Sequence, residues 1–249
     1  MTTRLTANLV PIPILTYHQI DIAPPKGAAY RSLYVSPNSF ARQMALLKIL
    51  GYRGLSMSAL IPYLKGERTG KVVGITFDDG YLNNLINALP VLSKYGFSST
   101  CYAVSQRLGM TNAWDRDVGV VQAPLMNASQ LRQWLEGGQE VGAHTRHHVR
   151  LTQVDLSTCV EEISLCKSEL EDMTASSVAH FCYPYGDYTE NQVAMALAAG
   201  FESATTTQRS RCQAGEDLMQ LPRMPIVRST SLLAFWLKLA TSYEDRRRA

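Results

Sequence analysis

The segment from Lys71 to Phe77 is the part of the sequence that most constrains the fold. It reads Lys-Val-Val-Gly-Ile-Thr-Phe, a short and nearly continuous apolar run. Such a run is typical of a parallel β-strand that is covered on both faces. Apolar segments of similar length recur along the chain and alternate with segments of helical character. This alternation predicts an α/β protein with a mostly parallel sheet.

Seven strands and seven helices are predicted from this pattern. The strands are expected at residues 10–18, 72–78, 99–104, 140–144, 179–183, 203–206 and 224–227. The helices are expected at residues 37–50, 57–65, 81–95, 128–135, 155–173, 190–199 and 232–240. Ser36, Ser56 and Asn127 precede three of the helices and are predicted N-caps. Gly96, Gly137 and Gly200 follow three of the helices and are predicted stops.

Length and composition favour one domain that comprises residues 1–249, with its core at about residues 10–240. A chain of 249 residues with 46% hydrophobic content has the size of a single α/β domain and buries a large core. The net charge of +3 is too small to indicate binding to nucleic acid. The sequence gives no indication of the oligomeric state.

Cysteine usage and hydropathy predict a cytoplasmic protein. The five cysteines are odd in number and scattered, which indicates neither a disulfide framework nor a zinc ribbon. A reducing compartment fits this usage best. No secretory signal is recognised near the N-terminus, because Pro11 and Pro13 interrupt a short apolar stretch. No apolar run approaches the ~20 residues of a membrane span.

Two adjacent carboxylates mark the end of the central apolar strand. Asp78 and Asp79 lie there, and Gly80 follows them. In α/β folds, ligands collect at the C-terminal ends of the strands. Because side chains alternate along a strand, both carboxylates can serve one site only if the backbone turns, and Gly80 permits a turn. The alternative is an ordinary Asp-Asp-Gly surface turn.

Two histidines follow a second predicted strand end. His144 and His148 share one face if their segment forms a helical turn, which would leave His147 pointing elsewhere. With one carboxylate they form a ligand set for a first-row divalent metal, and the second carboxylate would be a general base. These residues favour metal-assisted hydrolysis. A zincin motif is excluded, because Thr145 follows His144. An oxygenase-type facial triad and a solvated polar cluster are the open alternatives.

Three segments, in order, resemble signatures of the polysaccharide deacetylases, which are family four of the carbohydrate esterases. They are Thr-Phe-Asp-Asp-Gly at 76–80, His-Thr-Arg-His-His at 144–148 and Phe-Cys-Tyr-Pro-Tyr-Gly at 181–186. The likeness extends from about Val10 to Ile226. It implies a distorted (β/α)7-type barrel. It also implies an enzyme that removes N-acetyl groups from an N-acetylated glycan, a polysaccharide or oligosaccharide of the N-acetylglucosamine type.

The resemblance also implies roles for individual residues. Asp79, His144 and His148 would bind a divalent metal, with zinc as the first choice and cobalt, nickel or iron as alternatives. Asp78 would be the general base that activates the attacking water. Tyr185 would offer its backbone N–H to the oxyanion.

The chain departs from the commonest pattern of this family at two points. Cys182 stands where an arginine usually orients the base, and Arg223 is the candidate replacement. No late histidine supplies the general acid. Instead, residues 13–18 are similar to the entry strand of the poly-N-acetylglucosamine deacetylase subgroup, whose barrel strands are permuted in sequence. In that subgroup His18 would be the general acid, and we expect it on the side of the metal opposite Asp78. A half-buried histidine and a solvated cation are the structural alternatives for His18 and Arg223.

Trp114, Tyr183 and Tyr188 are candidate substrate-binding residues, because their rings could stack on a sugar. Packing in the core or at the rim is the alternative for each. Two other functions stay open: hydrolysis of a C–N bond in a small cyclic amide by the same fold, and carbohydrate binding without catalysis. The arginine-to-Cys182 difference would be the only support for a non-catalytic protein, whereas the retained aspartates and histidines argue against it.

Overall fold

The computed structural model describes residues 10–213 and 215–248, so residues 1–9, 214 and 249 of the predicted domain 1–249 lie outside this description. The strands are β1 (Ile14–Tyr17), β2 (Gln19–Ile20), β3 (Tyr34–Val35), β4 (Arg53–Leu55), β5 (Val72–Phe77), β6 (Thr100–Ala103), β7 (Glu140–Ala143), β8 (His180–Cys182), β9 (Ser203–Thr205) and β10 (Met224–Pro225). The helices are α1 (Pro37–Ile49), α2 (Met57–Leu64), α3 (Leu89–Tyr95), α4 (Ala128–Glu136), α5 (Leu156–Thr174), α6 (Glu190–Ala198) and α7 (Leu232–Ala240). None of these helices is long and apolar enough to cross a lipid bilayer.

The main sheet contains parallel strands in the order β10-β1-β5-β6-β7-β8-β9, and β4 pairs with the first half of β5. This order confirms the predicted mostly parallel α/β fold of the (β/α)7 type. The segment 221–225 links the two edges of the sheet. Leu221 bridges to Thr205 of β9, while β10 pairs with β1. The sheet therefore curls until one segment of the chain contacts both of its edges.

Alternating side chains along the strands separate two apolar layers. Leu15 and Phe77 belong to the larger cluster between the sheet and the helices, where Phe77 packs edge-on against Trp134. Ile14 faces the opposite side and packs in a smaller cluster with Tyr102. Because the side-chain period of a strand is two, the residues that share the face of Ile14 line the inside of the curled sheet. This inner face leads to the polar residues at the C-terminal ends of the strands.

The predicted helix at 81–95 is interrupted. A π-helical turn at Asn84–Ala88 precedes α3. The side chain of Asn84 donates to the carbonyl of His18 (2.8 Å) and accepts from the N–H of Ile20 (3.2 Å). Pro90, near the start of α3, has no N–H for a continuous helical ladder. These tertiary hydrogen bonds and the proline together explain the break.

The other predicted elements occur with ends shifted by a few residues, whereas β2, β3 and β4 were not predicted. Each of these strands has only two or three residues, too few for a pattern of alternation. Ser36 and Asn127 cap their helices with side-chain hydrogen bonds, as predicted. Ser56 precedes α2, but its side chain makes no capping hydrogen bond.

Candidate active site

A cleft of about 440 Å³ opens at the C-terminal ends of the strands. His18, Asp78 and His144 line it, and each lies directly at the end of a strand: β1, β5 and β7 respectively. Because the strands are parallel, their last side chains meet at one end of the sheet. Three residues that are far apart in the sequence therefore come together here.

Asp79, His144 and His148 converge on one point at this cleft. The Nε2 atoms of His144 and His148 lie 3.5 and 3.3 Å from Oδ1 of Asp79. The ligand atoms of these three buried side chains all lie within 4.8 Å of one another. Two imidazole nitrogens and one carboxylate oxygen fit a divalent cation of the zinc type, which keeps further positions for water or substrate.

The orientation of His144 supports a role as a metal ligand. Its Nδ1 donates to the carbonyl oxygen of Cys182 at 2.8 Å. Because a carbonyl oxygen can only accept, Nδ1 carries a proton, and Nε2 is the ring nitrogen that faces Asp79 and is left to bind a metal. Nδ1 of His148 is buried and has no hydrogen-bond partner among the described residues. Its ring is instead stacked on Trp114, with the ring centroids 4.5 Å apart.

Left-handed backbone conformations produce this convergence. Asp79 has a φ of 74° and Gly80 a φ of 78°, so the chain turns sharply at the end of β5. Thr145 and His148 have φ values of 63° and 62°. The predicted helical turn from His144 to His148 is therefore wrong, because the segment is a loop and its left-handed residues bring the imidazoles together. Such strained positions cost about 1–3 kcal/mol each and cluster at functional sites.

Helix α5 holds the loop that carries the two histidines. The buried carboxylate of Glu162 accepts from the N–H groups of Arg146 and His147, both at 2.9 Å, and lies 2.6 Å from Nδ1 of His147. Oγ1 of Thr145 accepts from the N–H of His148 at 3.0 Å. His147 therefore points away from the candidate metal ligands, and both ends of the loop are anchored.

Asp78 is paired with Arg223. Nη1 and Nη2 of Arg223 donate to Oδ1 and Oδ2 of Asp78 at 2.7 and 2.8 Å. The same guanidinium donates to Oγ1 of Thr76 and contacts Sγ of Cys182, both at 3.1 Å. Burial raises the pKa of Asp78, but the charge of Arg223 outweighs it and leaves this pKa below its ordinary value. Asp78 therefore stays ionised at neutral pH. Arg223, which keeps it ionised, lies beside Cys182.

A second cluster, Asp78, His144 and Cys182, also lies within ligand distance. It is a poorer metal site, because both oxygens of Asp78 already accept from Arg223. The thiol of Cys182 contacts the same guanidinium. A cation bound there would face a buried positive charge, so the cluster around Asp79 is the candidate metal centre.

The ionisation of the candidate metal ligands follows from their mutual contacts. Burial raises the pKa of Asp79, but hydrogen bonds from His144 and His148 outweigh it and hold this pKa well below its ordinary value. Burial lowers the pKa of His148. For His144 the effect of burial is outweighed by Cys182 and Asp79, so its pKa lies well above the ordinary value. Since ligating nitrogens must be unprotonated, metal affinity is expected to fall at acid pH.

His18 lies beside Asp78, and its expected position opposite Asp78 is wrong. Its Nε2 is 4.0 Å from Oδ2 of Asp78, and 24% of its side chain is exposed. The reason is the strand order: β1 and β5 are neighbours, and Tyr17 pairs with Phe77. The residues that follow this pair lie side by side, so His18 lines the cleft on the same side as Asp78.

The turn Pro184–Gly186 brings Tyr185 to the same cleft. Tyr185 has a φ of 59°, and its ring centroid lies 4.6 Å from that of His148. Its hydroxyl donates to Oδ1 of Asp115 at 3.1 Å, and the guanidinium of Arg150 lies over its ring, 3.9 Å from the centroid. Burial and the charge of Asp115 raise the pKa of Tyr185, so the hydroxyl remains a donor at neutral pH.

The three aromatic residues predicted to bind substrate are engaged by protein groups. Tyr183 is fully buried, its hydroxyl donates to the carbonyl of Met219 (3.1 Å), and its ring stacks on Tyr188 at 4.5 Å. Tyr183 lines the cleft, but its ring is buried against protein groups, so its sugar-stacking role stays a prediction that the packing does not favour. Trp114 stacks on His148, which makes it a support for a candidate metal ligand. Rim or core packing describes these rings better than an open stacking surface.

Sequence reasoning missed Glu162, Asp115 and Arg150. Glu162 holds the histidine loop, and the other two line the cleft around Tyr185. An acidic residue on the buried face of a helix is an unusual signal that would have singled out Glu162. Asp115 and Arg150 lie outside the α-helices and β-strands, so no periodic pattern distinguishes them.

Comparisons with known proteins agree on one family. Residues 65–204 match the family model described as Polysaccharide deacetylase. The chain is 26% identical over 200 residues to a poly-beta-1,6-N-acetyl-D-glucosamine N-deacetylase of Staphylococcus epidermidis, covering 76% of this chain and 67% of that one. The Streptococcus pyogenes deacetylase PplD in complex with acetate is similar with a TM-score of 0.80 and 25% identity, over 92% and 98% of the two chains. A polysaccharide deacetylase of Bacillus cereus has a TM-score of 0.78 and 27% identity, over 92% and 69%.

Proposed function

Because the chain belongs to the polysaccharide deacetylase family, we propose that it is a metal-dependent hydrolase that removes N-acetyl groups from a glycan of N-acetylglucosamine units. The names of two similar proteins support this substrate class. One is a deacetylase of poly-beta-1,6-N-acetyl-D-glucosamine. The other is a deacetylase in complex with acetate, which is the acid that the proposed reaction releases.

The observation that carries the proposal is the Asp78–Arg223 pair next to the Asp79, His144 and His148 cluster. A general base must be ionised and within reach of the proton that it accepts. Arg223 keeps Asp78 ionised although it is buried. A carboxylate oxygen of Asp78 lies within 4.8 Å of a ring nitrogen of His144, one of the candidate ligands, so a water molecule bound at the cluster would lie within its reach.

The residues of the cleft can carry out the proton transfers that this reaction needs. Asp78 takes a proton from the attacking water, whose oxygen bonds to the acetamide carbon. His18 gives a proton to the amine nitrogen as the C–N bond breaks, so the products are acetate and a free amine. The backbone N–H of Tyr185 holds the carbonyl oxygen while it is negatively charged. Losing one such donor typically costs ~10²–10³ in kcat.

A divalent cation held by Asp79, His144 and His148 would supply Lewis-acid polarisation of the acetamide carbonyl. Zinc fits these ligands, and cobalt, nickel and iron fit the same set. The non-catalytic alternative relied on Cys182 in place of an arginine. That support is weakened, because Arg223 provides a guanidinium to Asp78 from a different part of the chain.

The test combines metal analysis with acetate release. The zinc-loaded protein is incubated with β-1,4- and β-1,6-linked N-acetylglucosamine oligomers, and acetate and free amine are measured in parallel. We expect equal amounts of both products. Asp78→Asn should lose ~10² or more in activity, the usual scale for a general base, with its metal content unchanged. Oligomer binding without acetate release would favour a non-catalytic protein, and ring opening of a cyclic amide instead would favour the other hydrolytic function.

A further inference from the structure

Three arginines line the cleft, and two of them are paired with buried carboxylates. Arg223 is paired with Asp78 through two hydrogen bonds. Arg209 is paired with Glu244, with its Nε and Nη2 atoms at 2.9 and 3.0 Å from the two carboxylate oxygens. Arg150 differs, because no carboxylate in the described part of the chain lies within ion-pairing distance of it. Among the three cleft arginines, Arg150 is therefore the one without a carboxylate partner in the described part of the chain.

Arg150 is held in the cleft by an aromatic ring. Its guanidinium lies 3.9 Å from the centroid of the Tyr185 ring. The same ring packs edge-on against His148, with the two ring centroids 4.6 Å apart. Stacking on a ring face leaves the in-plane N–H groups of a guanidinium available to a ligand. Asp115 accepts a hydrogen bond from the hydroxyl end of the ring rather than contacting its face. The ring of Tyr185 therefore lies between the guanidinium of Arg150 and His148, a candidate metal ligand.

We propose that Arg150 is a specificity-determining residue that binds an anionic substituent of the glycan, a carboxylate or a phosphate. The planar fork of a guanidinium matches both groups through paired hydrogen bonds. The substituent would be on the sugar whose acetamide reacts or on its neighbour, because Arg150 and the metal ligands share one cleft. This inference rests on the proposed deacetylase function and adds to it a preference for acidic glycans.

The test compares four disaccharides of N-acetylglucosamine: a neutral one, one with a carboxylate, its methyl ester, and one with a phosphate. For the original protein, kcat/KM should be highest for the charged compounds, and the methyl ester should behave as the neutral one. In Arg150→Gln the ratio of charged to neutral kcat/KM should fall roughly tenfold, the scale of a charge-assisted hydrogen bond. Comparison of the carboxylate and phosphate disaccharides shows which anion is preferred.

Two control variants separate this effect from general electrostatics and from folding. Arg116 is exposed on the neighbouring 3-10 turn Ala113–Val118 and does not line the cleft. Arg116→Gln removes one positive charge and should change the ratio by less than about twofold, because this charge lies outside the cleft and is screened by solvent. Arg150→Lys keeps the charge without the fork and should restore part of the preference.

Equilibrium binding decides the inference even without turnover. The same disaccharides are titrated into Asp78→Asn and into Asp78→Asn/Arg150→Gln by calorimetry. Tighter binding of the charged compounds that depends on Arg150 is the expected result. Equal affinity for charged and neutral compounds, or a preference that Arg150→Gln leaves intact, would overturn the anion site. Absence of acetate release from every disaccharide, together with Arg150-dependent binding, would overturn the deacetylase function and leave the anion site standing.

Discussion

Nη1 and Nη2 of Arg223 lie 2.7 and 2.8 Å from the two carboxylate oxygens of Asp78, although the residues are 145 positions apart in the sequence. Arg223 belongs to the segment 221–225 that contacts both edges of the curled sheet. The segment that closes the sheet therefore also positions the proposed base. Both side chains are almost fully buried, so neither charge is compensated by water. This pair therefore links the stability of the fold to the proposed catalysis.

The first prediction concerns the stability of this buried ion pair. Arg223→Met should lower the free energy of unfolding by about 3–5 kcal/mol, because it leaves the buried carboxylate of Asp78 without a partner. Asp78→Asn/Arg223→Met should be more stable than the sum of the single changes implies, since no unpaired charge remains. Urea denaturation at neutral pH measures all four proteins. Single effects that simply add would show that the two charges do not interact.

The sequence was sufficient to predict the architecture because its strands and helices alternate clearly. The strands β5, β6 and β7 were predicted nearly to their ends. The order of the strands was harder, since parallel pairing is decided by long-range packing rather than by local pattern. This is why His18 was expected across from Asp78, whereas β1 and β5 are direct neighbours. Local pattern placed both residues at strand ends, but it carried no information about which strands touch.

For the candidate site, as for the fold, the sequence predicted which residues take part but not their detailed geometry. Asp79, His144 and His148 converge as expected, since short motifs place them at two strand ends. The mode of convergence was not predictable, because a left-handed φ at Thr145 costs energy that only the surrounding structure offsets. The burial of Tyr183 was equally hidden, since it depends on a stacking partner and on a carbonyl from another turn of the chain.

The second prediction concerns the metal centre. The protein should bind about one zinc ion per chain, because one set of three ligands with open positions is characteristic of a single site. Asp79→Ala and His148→Ala should abolish binding, whereas His147→Ala should retain most of it, since His147 faces Glu162. Elemental analysis after dialysis gives the metal content. Loss of zinc in His147→Ala with retention in His148→Ala would exchange the roles of the two histidines.

The third prediction concerns the carboxylate that holds the histidine loop. Glu162→Gln keeps the size of the side chain but weakens its hydrogen bonds to Arg146 and His147. The dissociation constant for zinc should rise roughly 10–100-fold, the usual effect of losing a group that orients metal ligands. Competition with a chelator measures this constant directly. The matched control is Glu161→Gln, an exposed neighbour on the same helix. Equal zinc affinity of the two variants would argue against this role.

The fourth prediction concerns the pH dependence of stability. His180 is fully buried, with Nε2 2.9 Å from Oγ of Ser58 and Nδ1 2.9 Å from Oγ of Ser203. Burial lowers its pKa, although Glu140 and Glu202 oppose this effect. Its folded pKa thus lies below the unfolded value of about 6.5. The contribution of neutral His180 to the free energy of unfolding is therefore fully present above that pH. It is lost as the pH falls below it, by up to about 1.4 kcal/mol per pH unit.

A variant isolates the contribution of this histidine. His180→Gln removes the titrating group, so the loss of unfolding free energy between neutral and mildly acid pH should be smaller than in the original protein. The other histidines are present in both proteins and cancel in the difference. Denaturation curves at several values between neutral and mildly acid pH give the slope of unfolding free energy against pH for both proteins. Identical slopes would mean that His180 is protonated equally in the folded and unfolded states.

The last prediction concerns His18, whose position beside Asp78 leaves two ways to protonate the leaving amine. If His18 is the acid, His18→Ala should lower kcat on N-acetylated oligomers by ~10²–10⁴, the range for general acid–base catalysis. Hydrolysis of nitrophenyl acetate should fall much less, because its leaving group needs no proton. Metal content and unfolding free energy should change little, since His18 is partly exposed and lies outside the metal cluster. If amide and ester activities fall equally, His18 has a structural role. If neither falls, Asp78, 4.0 Å away, is the group that returns the proton it has taken from water.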